Sequence, residues 1–244
     1  MPVKSRVALI SGSTHGIGKA IVQRFVNDDW VVLQNSRNPI SNSNLIGAKH
    51  FIADITNLPE CKSLVDSVVR EFGQIDALIC NIGSGADIGA EISKMERWDH
   101  FLSINLNSAS NLISAALSAL KESKGSVTAI SSICGMVTIE GAPIEYSAAK
   151  AALNTYIKSL AIKHGPEGVR FNVVAPGNVL FTGSTWDHKL KVDKAAVMAY
   201  ISEHVPMNGF VEPQEVAAAV AFLASQESNS ITGAVLAIDR GQSL

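Results

Sequence analysis

The stretch RVALISGSTHGIG, residues 6–18, joins a short apolar run to a glycine turn. Val7, Ala8, Leu9 and Ile10 stop abruptly at Ser11 and Gly12. A run this short, bounded by turn residues, is the pattern of a strand buried on both faces. Glycines follow at 12, 16 and 18, and the amphipathic residues 19–27 read as a helix. Strand, glycine turn and helix begin a βαβ unit. So tight a turn needs residues without a Cβ, which lets backbone amides approach a phosphate. The helix behind it aims free N–H groups and its positive dipole end at the same point. Gly12, Ser13, Thr14, His15, Gly16, Ile17 and Gly18 therefore read as a pyrophosphate cradle. The spacing is G-x-x-x-G-x-G rather than the commoner G-x-G-x-x-G, and a strand-to-helix turn with no ligand would use the same glycines.

Outward from this unit the pattern repeats. Residues 30–35 (WVVLQN) form a second apolar strand, residues 36–44 a polar loop containing Pro39, and residues 50–53 a third strand. Asn57, Pro59 and Glu60 signal the start of a helix that runs to about residue 72. A fourth strand at 77–80 ends in Asn81-Ile82-Gly83, and Ser93 with Glu96 resembles a capping box opening one long helix, 93–120. A fifth strand at 127–130 ends in Ser131-Ser132, and a helix over 144–164 closes at Gly165-Pro166. The sixth strand, 171–175, ends in Pro176-Gly177. Residues 178–210 read as irregular with one short helix at 192–202, before a helix at 213–224 and a seventh strand at 234–238.

Strands alternating with helices predict an α/β fold: a single-domain Rossmann-type doubly wound parallel sheet of about seven strands, helices on both faces, with right-handed crossovers. No repeat or linker divides residues 1–244. Ligands of such sheets lie beyond the C-terminal strand ends. The polar residues Gly12, Asn35 to Arg37, Asp54, Asn81, Ser132 and Pro176-Gly177 all fall there.

Bulk properties narrow the function. Of the 244 residues 47% are hydrophobic, enough for one large core, and the formal net charge is -2. That balance argues against nucleic acid or an anionic membrane as partner. The first ten residues lack a signal-type apolar segment, and the longest apolar run, 216–224, is too short to span a bilayer. Cysteines 61, 80 and 134 have neither disulfide nor metal-ligand spacing, so the expectation is a cytoplasmic protein with reduced thiols and no metal.

Tyr146 and Lys150 lie four apart on a predicted helix and share a face. A free tyrosine, with a pKa near 10, is a poor acid-base group at neutral pH, and a nearby ammonium favours its phenolate. The pair suits proton exchange with a carbonyl or alcohol. Alone, such a pair is more often a solvated helix face. Ser132, at the end of the preceding strand, could hydrogen-bond the same substrate oxygen; otherwise it is a turn residue. Cofactor choice follows from the second strand. An acid at its end would bind the ribose 2′-hydroxyl of NAD and repel a 2′-phosphate. Here stand Asn35, Ser36 and Arg37, and Arg37 with Ser36 can clamp a phosphate. NADP(H) is expected over NAD(H), unless Arg37 is simply an exposed loop charge.

These residues carry a resemblance. The chain resembles the short-chain dehydrogenase/reductase family along almost its whole length, most of all the 3-oxoacyl-acyl-carrier-protein reductases. The matching motifs are Ser11-Gly12-x-x-x-Gly16-Ile17-Gly18, Asp54, Asn81-Ile82-Gly83, Asn105, Ser132-x-x-Gly135, Tyr146-x-x-x-Lys150, Pro176-Gly177, Ile231-Thr232-Gly233 and Asp239. The resemblance implies that Tyr146 is general acid in reduction and base in oxidation. Lys150 would hold the nicotinamide ribose and depress the tyrosine pKa, and Ser132 would orient the substrate oxygen. Asn105 would hold a water in a proton relay, although its spacing alone suggests a buried helix asparagine bonded to backbone. Asp54, with Ile55 beside it, would meet the adenine, and Asn81, Ile82 and Gly83 would line the cofactor groove. Val179, after Pro176-Gly177, would face the carboxamide through its backbone.

The resemblance also implies a substrate-covering segment at about 178–210, a small-molecule or carrier-linked substrate, and a homotetramer or homodimer using helices 93–120 and 144–164. Five features depart from the family. Ile82 stands where alanine is usual. Ser132 to Tyr146 is one residue longer than the commonest spacing, leaving Ser131 as a second candidate serine. The loop 36–49 is short, Arg240 replaces a glycine, and the threonine expected after Pro-Gly is displaced to Thr182. His15 could touch phosphate or face solvent, and His164 suits a helix end. Cys134 reads as a small buried residue, while Trp186 and His188 are candidates for substrate contact.

The leading expectation is thus a hydride-transferring oxidoreductase of a 3-oxoacyl thioester or other ketone. The competing readings are a non-catalytic dinucleotide sensor or scaffold and a reductase of a sugar-derived ketone.

Overall fold

The computed structural model describes residues 5–40, 47–86, 88–89 and 92–244. Their strands are β1 (Val7–Ser11), β2 (Val31–Ser36), β3 (Ala48–Ile52), β4 (Ala77–Cys80), β5 (Ser126–Ile130), β6 (Arg170–Pro176) and β7 (Val235–Ile238). They form one parallel sheet in the order β3-β2-β1-β4-β5-β6-β7. The order reverses between β1 and β4, and a crevice opens at the C-terminal edge of such a switch point. β1 pairs with Val31 to Asn35 on one side and Ala77 to Ile79 on the other, and all five of its residues are buried. That central placement is why its sequence is continuously apolar.

The helices are α1 (Gly16–Asn27), α2 (Leu58–Phe72), α3 (Lys94–Leu102), α4 (Ser108–Ser123), α5 (Ile144–His164), α6 (Thr185–Val192), α7 (Lys194–His204) and α8 (Pro213–Ala224). Two cores flank the sheet. Leu64, Leu112, Leu153 and Phe171 represent the one under α2, α4 and α5; Ile21, Phe25, Val216 and Val220 represent the one under α1 and α8. A third, small cluster of Val197, Ile201 and Val205 belongs to α7 alone and gathers Trp186, Tyr200 and Phe210.

Local chemistry sets the helix ends. Asn57 caps α2 by accepting from Glu60 N–H at 3.3 Å, Pro59 sits in its first turn, and Gly73 closes it at φ +77. Ser93 and Glu96 make both bonds of a capping box on α3.

Two elements differ from the sequence reading. The long helix 93–120 is interrupted by a π turn, Ser103–Asn107, before it continues as α4. Asn105 occupies that turn, its amide donating to the Phe101 carbonyl at 3.0 Å. The segment 178–210 holds two helices rather than one, each with its own cap: Ser184 accepts from Asp187 N–H and Asp193 from Ala196 N–H. The short loop expected over 36–49 contains residues 41–46, which lie outside the described residues; β3 begins at Ala48, two residues before the predicted strand. Among the described residues no helix is long and apolar enough to cross a membrane.

Candidate active site

The glycine turn is built by close approach. Gly12 and Gly16 have φ of +61° and +51°, in the left-handed region that side chains avoid. A Cβ on Gly18 would lie 2.2 Å from the Gly12 carbonyl oxygen. That carbonyl accepts from Asn81 Nδ2 at 2.8 Å, and Asn81 N–H donates to Ser11 Oγ at 3.0 Å. Asn81 thus ties the end of β4 to the turn after β1. Ile82 covers Gly12, where a Cβ would stand 2.8 Å from Ile82 Cγ1. The start of α1 carries no side-chain cap and no acid in its first turn, so its N–H groups stay open to an anion.

The other expected turn residues divide. Ser13 is buried, with its hydroxyl given to the Asn35 carbonyl at 3.2 Å. Thr14 and His15 pair with each other at 3.1 Å. Phe181 is a contact that sequence reasoning missed. Its ring rests on Gly16, where a Cβ would fall 2.5 Å from Phe181 Cζ. Phe181 stands one residue before Thr182, at the position where the family carries its threonine.

At the end of β2 the structure sets Ser36 and an exposed Arg37. Ser36 Oγ donates to the Asn38 carbonyl at 2.6 Å and lies 2.7 Å from His50 Nε2. Since the single hydroxyl proton is already committed, the histidine nitrogen is the donor of that second bond. His50 was not anticipated; only the β2–β3 pairing brings it there. Burial works against the Asp54 charge. Even so, bonds from the Thr56 hydroxyl and N–H, with the Arg37 charge, hold its carboxyl below the ordinary carboxylate range. Ile55 is in the core, so any cofactor contact it makes runs through its backbone.

Tyr146, Ser132 and Lys150 converge where β5 ends and α5 begins. The Ser132 hydroxyl lies close enough to the Tyr146 phenol to pull its pKa down, and Ser132 accepts from Cys134 N–H at 3.2 Å. Ser131 is spent elsewhere, donating to the Lys150 carbonyl at 3.3 Å. The additional residue between Ser132 and Tyr146 therefore does not separate them. Gly135 lets its segment lie directly on α5, where a Cβ would be 2.7 Å from the Lys150 carbonyl carbon.

Lys150 is buried, and its ammonium donates to the Ile130 carbonyl at 2.9 Å. A Cβ at Gly83 would lie 2.6 Å from Lys150 Nζ and 2.8 Å from Asn105 Oδ1, so a bare glycine lets these two polar groups converge. Asn105 is otherwise tied to backbone. Its oxygen accepts from Ser84 N–H and its amide donates to the Ser84 and Phe101 carbonyls, each at 3.0 Å. The arrangement is the one its spacing alone suggests.

Burial pushes the Tyr146 phenol up to about 12, against the Ser132 hydrogen bond that pulls it down. It pushes Lys150 down to about 8. Lys150 Nζ lies 5.8 Å from the Tyr146 ring centroid, and desolvation is the largest influence on the phenol. At neutral pH Tyr146 is protonated, as a proton donor must be.

Gly177 donates to the Ile238 carbonyl at 3.0 Å, and beyond it Val179 bridges Val211. The bridge bonds run from Leu180 N–H and to the Asn178 carbonyl. Val179's own N–H and C=O therefore point the other way. The residues present fit a dinucleotide: an uncapped helix start on a glycine turn, an outward-facing Val179 amide and a buried ammonium at the switch point. A cavity of about 880 Å³ is lined by residues including Glu140, Lys189, Tyr200, His204 and Gln242, and none of Ser132, Tyr146 or Lys150 is in its lining. Trp186 is not among its lining residues; it stacks on Tyr200 at 5.6 Å. His164 is buried and meets Glu167 at 2.6 Å, fastening the end of α5.

Known proteins are similar to this chain along nearly its whole length. A family model described as enoyl-(acyl carrier protein) reductase matches residues 12–243. The 3-oxoacyl-acyl-carrier-protein reductase of Salmonella typhimurium is 33% identical over 99% of this chain and 98% of its own length. Glucose 1-dehydrogenase 2 of Bacillus subtilis is 29% identical over 98% and 95%. Among solved structures, the aldohexose dehydrogenase of Thermoplasma acidophilum superposes with a TM-score of 0.86 at 30% identity, covering 98% of this chain and 94% of that one.

Proposed function

This chain belongs to the short-chain dehydrogenase/reductase family and is an NAD(P)-dependent oxidoreductase of a carbonyl/hydroxyl pair, and from that premise we propose that it is an NADPH-dependent ketone reductase in which Tyr146 protonates the substrate oxygen. The observation that carries the reading is the placement of the Ser132 hydroxyl against the Tyr146 phenol, on the same helix as the buried Lys150. A dinucleotide held by its pyrophosphate at the glycine turn, with its nicotinamide end toward Lys150 and Val179, would supply the hydride to the carbonyl carbon. The carbonyl π pair becomes a lone pair on oxygen, and Tyr146 gives that oxygen its proton. Ser132 orients the oxygen and stabilises its developing charge. Lys150, largely protonated below its value of about 8, supports recharging of the phenol. Asn105 fixes the Ser84 segment against Lys150.

The residues assigned to the cofactor are Gly12 to Gly18, Ser36, Arg37, Asp54, Ile55, Asn81, Ile82, Gly83, Tyr146, Lys150, Pro176, Gly177 and Val179. Preference for NADP(H) is supported by Arg37 at the end of β2 and by the absence of an acid there. The substrate proposed first is a 3-oxoacyl thioester or related ketone, carried over from the Salmonella relative. A sugar-derived ketone is the second reading, carried over from the Bacillus glucose dehydrogenase and the Thermoplasma aldohexose dehydrogenase. A cytoplasmic homotetramer or homodimer completes the assignment.

The test is Tyr146→Phe assayed by NADPH oxidation with acetoacetyl thioesters and sugar-derived ketones. Turnover should fall by roughly 10²- to 10⁴-fold while NADPH affinity stays near wild type. Undiminished turnover in the variant would refute the role of Tyr146.

A further inference from the structure

Residue 240 occupies a left-handed turn, φ +56°, that glycine adopts without strain. Arginine stands there, so its side chain must offset the strain. Arg240 Nε donates to the Phe210 carbonyl at 2.7 Å, and Nη2 donates to both Glu215 carboxylate oxygens at 3.0 and 3.1 Å. Its own carbonyl accepts from Met207 N–H at 3.1 Å. One residue therefore grips the last stretch of segment 178–210 and the first turn of α8. Two residues on, Gln242 Nε2 donates to the Tyr200 hydroxyl at 3.1 Å, reaching α7 from the same turn.

The turn is itself fixed. Asp239 accepts from Gly241 N–H at 3.0 Å and from Ser243 N–H at 2.8 Å. It also abuts Gly177, where a Cβ would lie 2.8 Å from Asp239 Cβ. The helices it reaches are otherwise weakly attached. α6 and α7 pack chiefly on each other, around the separate cluster of Val197, Ile201 and Val205. Phe210 and Tyr200, the two residues gripped, both pack on Trp186, at 5.6 Å in each case.

We propose that the C-terminal turn 239–243 is the anchor that holds α6 and α7 in position over the cleft, with Arg240 and Gln242 as positioning residues for the substrate. The inference rests on the reading of 178–210 as the substrate-covering segment. The main body is held by the two large cores and does not depend on this anchor. Loss of the tethers should loosen the covering segment while the dinucleotide half of the site stays as it is.

The experiment is hydrogen exchange by mass spectrometry on full-length wild type, Arg240→Gly, Arg240→Lys and Gln242→Leu. Glycine suits the backbone at 240, so that variant keeps the turn. In Arg240→Gly, amide exchange across 185–210 should rise about tenfold, with β4, β5 and β6 unchanged. Arg240→Lys should fall between, because one ammonium cannot hold Glu215 and the Phe210 carbonyl as a guanidinium fork does. Gln242→Leu should loosen α7 more than α6. NADPH affinity should stay within about twofold, and for a thioester probe that is turned over KM should rise about fivefold or more with kcat little changed. Unchanged exchange in 185–210, or an equal rise throughout the sheet, overturns the anchor. The exchange measurement needs no substrate, so failure of the proposed reductase activity and failure of the anchor are separate results.

Discussion

Lys150 carries its charge among apolar walls, with the Ile130 carbonyl as its acceptor. Its folded value of about 8 lies below the ordinary 10.5, so the fold binds this proton less tightly than the unfolded chain does. The resulting penalty is fully present below pH 8 and is relieved as pH rises from 8 toward 10.5. A shift of this size is worth about 3 kcal/mol at neutral pH. Lys150→Met should therefore be more stable than wild type at pH 7 by up to that amount, less the lost bond to Ile130, and the advantage should shrink by pH 10. Denaturant unfolding at both pH values checks this; an advantage independent of pH would contradict the burial argument. The residue is worth keeping for chemistry, and stability is what it costs. Its pairing with Tyr146 was legible in the spacing of the two residues. The values of both groups were not, because desolvation comes from burial by segments distant along the chain.

At the scale of the element, the glycine turn shows how much geometry three missing side chains supply. Gly18→Ala would bring a Cβ to 2.2 Å from the Gly12 carbonyl oxygen and 2.6 Å from Asn81 Nδ2, and backbone on one side cannot rotate away. The variant should lose several kcal/mol of stability, on the order of a severe core defect, together with NADPH binding. A melting temperature within a degree of wild type would show that the turn shifts freely. The π turn at Ser103–Asn107 marks the limit of reading elements from sequence. One extra residue in a helical turn leaves the apolar repeat on either side intact, so 93–120 reads as unbroken. The helix α6 was missed for a different reason: it buries none of its residues, and no strong apolar stripe announces it. The signal that could have found it is its cap, Ser184 with Asp187.

For the molecule as a whole, a dinucleotide seated at the β1/β4 reversal would link the two halves of the sheet, and binding there should stabilise the fold. NADPH at 100 times its dissociation constant should add about 2.7 kcal/mol, or a rise of roughly 5 to 10 °C for a chain of this size. If Arg37 reads a 2′-phosphate, NADH at the same concentration should give a smaller rise. Arg37→Ala should then cut the NADPH shift while leaving the NADH shift alone, since a charge-assisted bond of this kind contributes about 1.5 to 3 kcal/mol. Equal shifts for the two cofactors in wild type would remove the proposed preference for NADP(H).

The order of strands and helices, the glycine turn, and the Tyr146–Lys150 face were all present in the sequence, because each rests on contacts between residues close along the chain. Apolar runs, caps and periodicity record such contacts directly. Tertiary structure decided that Ser132 rather than Ser131 meets the tyrosine, that Phe181 rests on Gly16, that His50 reaches Ser36, and that Arg240 grips Phe210. Each of these joins distant segments, or chooses between neighbours, through the packing of strands and helices in space. No local pattern encodes a distance set by that packing.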